Sequence, residues 1–184
     1  EKGEISMIRK ENAIERALQD TADAMCLAAK TAPKACGKDS VEVVVLEQEE
    51  IRHLCVQMRR IAETEEGKRA IMARDAALLE NCTAVVLIGS KRSCRALNCG
   101  YCGHSSCAQA IKAGAHCAYD DIDLGIAVGS AASVAANRRA DNRVLYSAGY
   151  AAMTLHLMGE QVSSIIAIPL TADARNRFFV RGIS

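Results

Sequence analysis

Apolar side chains at Ile14, Ala17, Leu18, Ala22, Met25 and Ala29 recur every three or four residues, the period of a helix with one buried face. Pro33 and Gly37 then end it. Val41 to Leu46 reads as a buried strand. From Glu47 an acid-rich start and the positions Ile51, Leu54, Cys55, Met58, Ile61 and Ala62 predict a second helix that Gly67 stops, and a third spans Lys68 to Leu79. Ala84 to Gly89 is a short continuous apolar run, too short for a typical helix and rich in Val and Ile, so it predicts a central strand.

Beyond that strand lies a cysteine-rich loop. Ser105 or Ser106 can cap a helix running through Ala113, and an alanine-rich helix spans Asp121 to Asn137. Arg143 to Met158 carries Val144, Leu145, Ala148, Ala152 and Leu155 on one helical face and closes at Gly159, and Val162 to Leu170 is the last strand. Helices between widely separated strands, with no hairpin signal and no internal repeat, predict an α/β (α+β) layered sandwich in which helices cover a central sheet. At 184 residues the chain, 1–184, fits one domain with the cysteine-rich loop at about 94–117 set into it.

Composition changes the picture in three ways. Trp is absent and only 4 Tyr and 2 Phe occur, so Ala, Val, Ile, Leu, Met and Cys must build the interior. A net charge of +1, with acids and bases spread along the whole length, leaves no basic stripe for nucleic acid and few aromatic platforms for bases. The apolar run Ile122 to Ala136 falls short of the ~20 residues of a membrane span and is diluted by Gly125, Gly129, Ser130 and Ser133. It reads as a buried helix whose two glycines admit a neighbouring backbone, and no membrane partner is expected. No basic segment followed by an apolar stretch opens the chain, so a cytoplasmic location is expected.

The 9 cysteines are odd in number, and five fall between Cys94 and Cys117, which argues against a disulfide framework and for a metal or cluster site. Cys99, Cys102, Cys107 and Cys117 give the spacing C-x2-C-x4-C-x9-C, with Gly100 and Gly103 allowing the loop to turn. Several thiolates converging on one small volume suit an iron–sulfur cluster of the 4Fe-4S type. Zinc also accepts four thiolates, but its knuckles usually come as two paired C-x2-C units, so the spacing favours iron and sulfide. Cys94 is a fifth candidate, able to take the place of Cys117. Cys26, Cys55 and Cys82 read instead as small buried hydrophobes.

Other polar groups have competing readings. Lys91, Arg92 and Arg95 can offset the charge of a four-thiolate cluster, or simply be solvated. His104 and His116 adjoin cysteines, as ligands, proton donors or structural groups. Asp120, Asp121 and Asp123 read as first-turn acids of the alanine-rich helix rather than a cation site. Lys30 and Lys34 read as helix-end cations rather than phosphate ligands. There is no phosphate loop, dinucleotide glycine fingerprint, nucleophile elbow or metalloprotease pair.

The segment Leu97 to Cys107 resembles the CGxCGxxxC segment of the uncharacterised proteins described as containing a ferredoxin domain. The resemblance extends to Ala28–Lys34, Val85–Gly89, Asp123–Ala131 and Ile168–Leu170, and so to most of the chain. The cysteines are also similar to the cluster-binding segment of corrinoid iron–sulfur proteins and related reductase subunits, which implies a 4Fe-4S cofactor on Cys99, Cys102, Cys107 and Cys117. A weaker likeness links Ala29–Pro33 with its following strand, and the Asp123 helix, to the flavin-dependent nitroreductases. That likeness implies a nitroreductase-like fold, a homodimer, and FMN at the dimer interface. The chain departs from them in lacking their Arg-rich N-terminal phosphate-binding segment and their Asn-Gln-Pro-Trp run, with Cys36-Gly37-Lys38-Asp39 in its place.

Three functions follow as expectations. The first is a redox protein of unassigned reaction, whose cluster passes electrons to a partner protein or within a dimer. The second is a binding or assembly module that zinc or a cluster only shapes. The third is an FMN-dependent nitroreductase-like oxidoreductase.

Overall fold

The computed structural model describes residues 7–179; Glu1 to Ser6 lie outside them. The first amphipathic run folds as α1 (Lys10–Thr31), and after a short 3-10 turn the Val-rich run forms β1 (Val41–Leu46). Glu47 and Glu50 build a reciprocal capping box that opens α2 (Gln48–Thr64), followed by α3 (Arg69–Leu79) and β2 (Ala84–Lys91). Beyond the cysteine-rich loop come α4 (Cys107–Lys112), α5 (Ala118–Asn137), a two-residue strand β3 (Asp141–Asn142), α6 (Tyr146–Thr154) and β4 (Val162–Thr171).

The sheet has the order β1-β2-β4-β3, and every neighbouring pair is antiparallel. Strand β2 lies at its centre because both its faces are apolar and both are covered. Val85 and Leu87 point into a core with α2, α3 and α6, while Ala84, Val86 and Ile88 point into a second core with α1 and α5. The result is the helix-covered layered sheet that the sequence pattern predicts.

Two expectations need correction. Helix α6 is shorter than Arg143 to Met158: Leu145 exchanges two backbone hydrogen bonds with Ala167 and so extends the sheet before the helix begins. Helix α5 is not buried on all sides. Ile122 and Ile126 are exposed, and a Cβ added at Gly125 or Gly129 would meet nothing within 4 Å. The close helix approach occurs elsewhere, at Gly149 of α6, where a Cβ would overlap the backbone of Ile165 on β4.

Candidate metal centre

The cysteine loop leaves the end of β2 and returns to the start of α5, and a buried ionic cluster clamps it to the fold. Arg95 Nη2 donates to Asp123 Oδ2 at 2.7 Å and to Ser40 Oγ at 2.7 Å, while Nη1 donates to Asp120 Oδ1 at 3.1 Å and to the Ser93 carbonyl at 2.5 Å. Asp123 also accepts from the Ala35 amide, and Asp120 from the Ser93 amide. One guanidinium thus ties together the turn after α1, the exit of β2 and the first turn of α5. Burial alone disfavours its charge, but Asp123 and Asp120 hold it in the charged form. Burial pushes the Asp120 carboxyl up from the usual carboxylate range against the pull of the Ser93 amide and Arg95.

Above this clamp lies a cavity of about 370 Å³ lined by Cys94, Cys102, Cys107 and Cys117, with Arg92, Asp120 and Ile111 also in its wall. Cys107 opens α4, whose N-cap Ser106 accepts from the Gln109 amide, and Cys117 stands at the N-cap of α5. Ala96 and Asn98 hold positive φ values of 56° and 48°, which turns successive backbone amides inward. The Ala96 amide donates to Cys94 Sγ at 3.3 Å and the Asn98 amide to Cys107 Sγ at 3.3 Å. Asn98 Oδ1 in turn accepts from the Cys107 amide at 2.8 Å, locking loop to helix.

These donors have a clear electrostatic effect. The Asn98 amide, with those of Leu97 and Ala96 and the Cys94 thiol, outweighs burial and draws the Cys107 thiol below its ordinary value. Cys94 moves the other way. The Ala96 amide favours its thiolate, but the neighbouring Cys107, burial and the nearby Cys117 together push it up.

Of the four expected ligands, Cys102, Cys107 and Cys117 share the cavity. Cys99 is exposed just before the turn closed by the Gly103 amide on the Gly100 carbonyl, and Cys94 rather than Cys99 lines the wall. Among the described residues no three Cys, His, Asp or Glu side chains already stand in metal-binding geometry. The donor set nevertheless fits a soft metal or cluster: four free thiols face one cavity, two sulfurs receive amide hydrogen bonds, and the one carboxylate in the wall is committed to Arg95.

The remaining candidates have other work. Lys34 is almost fully buried and caps α1 by donating to the carbonyls of Ala29, Lys30 and Ala32, and Lys30 pairs with Asp39. Lys91 pairs with Glu42. Cys55 and Cys82 are buried hydrophobes, with burial pushing their thiols up to about 11 and about 12. Asp120 and Asp123 read in sequence as helix-start acids, and their pairing with Arg95 leaves no signal there because the partners lie more than 20 residues apart.

An antiparallel sheet between two helical layers, with a thiol-lined cavity at the exit of its central strand, defines an α+β sandwich of the nitroreductase type carrying a cysteine-rich loop. The chain belongs to the family of uncharacterized proteins containing a ferredoxin domain. The family model matches residues 113–181, a stretch that begins after Cys107 and includes Cys117. An uncharacterized protein of Archaeoglobus fulgidus is 36% identical over 166 residues, which cover 85% of this chain and 88% of that one. Among solved structures, a nitroreductase with bound FMN from Desulfitobacterium hafniense superposes with a TM-score of 0.56 at 14% identity, over 98% of this chain and 90% of that one. Nitroreductase A from Vibrio parahaemolyticus gives 0.54 at 11% identity, over 93% and 62%. These likenesses are ones of fold. Among the described residues no helix is long and apolar enough to cross a membrane.

Proposed function

We propose that this chain is an iron–sulfur redox protein, with a 4Fe-4S cluster on the cysteine loop that relays single electrons. The observation that carries this reading is the cavity in which Cys102, Cys107 and Cys117 meet a further cysteine beneath inward-turned backbone amides. Cys102, Cys107 and Cys117 supply three thiolates, and the fourth comes from Cys99 or Cys94. When bound, the cluster supplies a one-electron couple whose potential depends on its charge, burial and hydrogen bonds.

The protein's own residues do the rest. Arg95, Asp120 and Asp123 fix the root of the loop, and the amides of Ala96 and Asn98 offset negative charge on sulfur. The thiols of the described cysteines are all free, which suits a reducing, cytoplasmic setting.

The nitroreductase-like fold supports a homodimer, and the bare stripe of Ile122, Gly125, Ile126 and Gly129 on α5 is the surface we assign to it. The electron partner is then a second redox protein or a site shared by the two copies. The fold also supports a second reading, an FMN-dependent oxidoreductase with the cluster as auxiliary. We rank it lower, because Lys34 is spent on helix carbonyls and Lys30 on Asp39.

The test is anaerobic purification with iron, sulfide, zinc and flavin quantified on one sample. Iron and sulfide in equal amounts at about four per chain support the proposal. Stoichiometric zinc without iron supports a metal-shaped binding module instead, and stoichiometric FMN the flavoenzyme.

A further inference from the structure

Acids and bases alternate along most of the chain, but not over the cysteine loop. All 22 acidic residues lie outside 91–119, whereas that stretch holds Lys91, Arg92, Arg95 and Lys112 among its cysteines. Two of these cations are committed within the fold. Lys91 pairs with Glu42, and Arg95 is buried on Asp120 and Asp123. Arg92 and Lys112 are exposed and, among the described residues, in no ion pair.

A third exposed cation joins them from the turn after α1: Lys38 Nζ donates to the Cys94 carbonyl at 2.9 Å. Lys112 also suits the C-terminal end of α4, but Arg92 and Lys38 lie in no α-helix, so the helix dipole does not account for them. Of the acids that other elements bring to this side, Asp120 and Asp123 are taken up by Arg95, and Glu160 shares a separate cleft with Arg92.

Apolar side chains stand among these cations. Leu97, Tyr101 and Ile111 are 49%, 68% and 63% exposed. Each adjoins a cysteine of the cavity: the Leu97 amide acts on the Cys107 thiol, Tyr101 precedes Cys102, and Ile111 lies in the cavity wall. Tyr101 is held by stacking on Tyr119, with ring centroids 5.9 Å apart. Apolar groups rimmed by one sign of charge suit a partner of the opposite sign, because charge steers the encounter and the apolar groups seat it.

We infer that this face docks an acidic redox protein, whose carboxylates meet Arg92, Lys112 and Lys38 while its body rests on Leu97, Tyr101 and Ile111. The inference rests on the iron–sulfur reading above and names the chemistry of its electron partner. The step is a one-electron exchange: the reduced cluster is oxidised by one electron, the partner's cofactor is reduced by it, and no bond forms or breaks. Electron-transfer encounters bury little area, so the attraction is mainly electrostatic and weakens with salt.

The experiment loads the full chain anaerobically with iron and sulfide, reduces it, and mixes it by stopped flow with cytochrome c or with succinylated cytochrome c. The second carries the same haem under carboxylates in place of lysine ammonium groups. The succinylated form is expected to be reduced about tenfold faster at low ionic strength, with a rate that falls as salt is added. Arg92→Glu and Lys112→Glu should each slow that reaction and speed the one with native cytochrome c. Arg52→Glu, the same change of charge on the exposed side of α2, should leave both rates as they are. The cluster's own charge is common to all these samples, so the comparison reads the rim alone.

Docking is also read without electron transfer. A carbodiimide joins lysines to carboxylates that touch them, and mass spectrometry of the loaded chain with succinylated cytochrome c is expected to find the links at Lys112 and Lys38. Native cytochrome c reduced as fast as the succinylated form or faster, rim variants that behave like Arg52→Glu, or links confined to other lysines such as Lys10 and Lys68 overturn the docking face. Iron and sulfide measured on every sample keep that failure distinct from loss of the cluster. A wild-type chain that takes up no iron and sulfide overturns the iron–sulfur reading as well.

Discussion

Arg95 and Asp123 form a fully buried pair, Nη2 to Oδ2 at 2.7 Å, that joins the root of the cysteine loop to the second turn of α5. Sequence places these residues 28 apart, so nothing local announces the contact. Removing one partner leaves the other charged and without water. Arg95→Leu is therefore expected to destabilise the metal-free protein by about 3–5 kcal/mol, read from urea denaturation, because it strands both Asp120 and Asp123. Adding Asp120→Asn and Asp123→Asn to that variant should recover part of the loss; no recovery would mean the network acts through packing alone.

Gly149 sets how closely α6 lies on the sheet. A side chain there would overlap the Ile165 carbonyl, so Gly149→Ala is expected to cost about 3 kcal/mol through backbone displacement despite the better helix propensity of alanine. The matched change Gly125→Ala has open space around it and should cost nothing in the monomer. A denaturation series that ranks the two the other way would refute this packing.

Arg177 donates to both oxygens of Asp173, Nε at 2.5 Å and Nη2 at 2.8 Å, and holds the Asp173 carboxyl below the usual carboxylate range. A carboxylate with a lowered folded value stabilises the fold above its unfolded pKa of about 3.9 and loses that contribution as pH falls through the folded value. Wild type should therefore exceed Asp173→Asn by about 1 kcal/mol near pH 7, and the gap should close in strong acid. Thermal midpoints across that range test this; a gap that widens in acid contradicts it.

Thiol chemistry separates the structural cysteines from the rest. Burial holds Cys55 at about 11 and Cys82 at about 12, so at mildly alkaline pH neither forms appreciable thiolate. Iodoacetamide on the folded, metal-free chain should modify the exposed Cys36 and Cys99 and spare Cys55 and Cys82 until denaturant is added. Early modification of Cys82 would show that its region opens far more readily than its complete burial implies.

Much of the architecture was legible in the pattern of apolar residues. The run Val41 to Leu46 is β1 to the residue, and Ser106 caps α4 as its position suggests. Local rules worked there because the signal is local: a β-branched run, or a hydroxyl before a helix. They failed where long-range contacts decide. Leu145 pairs with Ala167 instead of opening α6, and the exposed face of α5 is apolar enough to read as buried.

The site divides in the same way. The cysteine spacing drew attention to the loop, and three of its four expected ligands share the cavity. The clamp through Arg95 and the inward turn of the Ala96 and Asn98 amides depend on tertiary contacts and positive φ at non-glycine residues, which no spacing encodes.

The most direct test of a redox cluster is visible absorption of the anaerobically loaded wild-type chain before dithionite, after it, and after gentle reoxidation. A broad brown absorbance that bleaches on reduction and returns on oxidation, with iron and sulfide unchanged throughout, is the expected result. A colourless chain, or colour that is lost with its iron and never returns, would contradict an electron-carrying role.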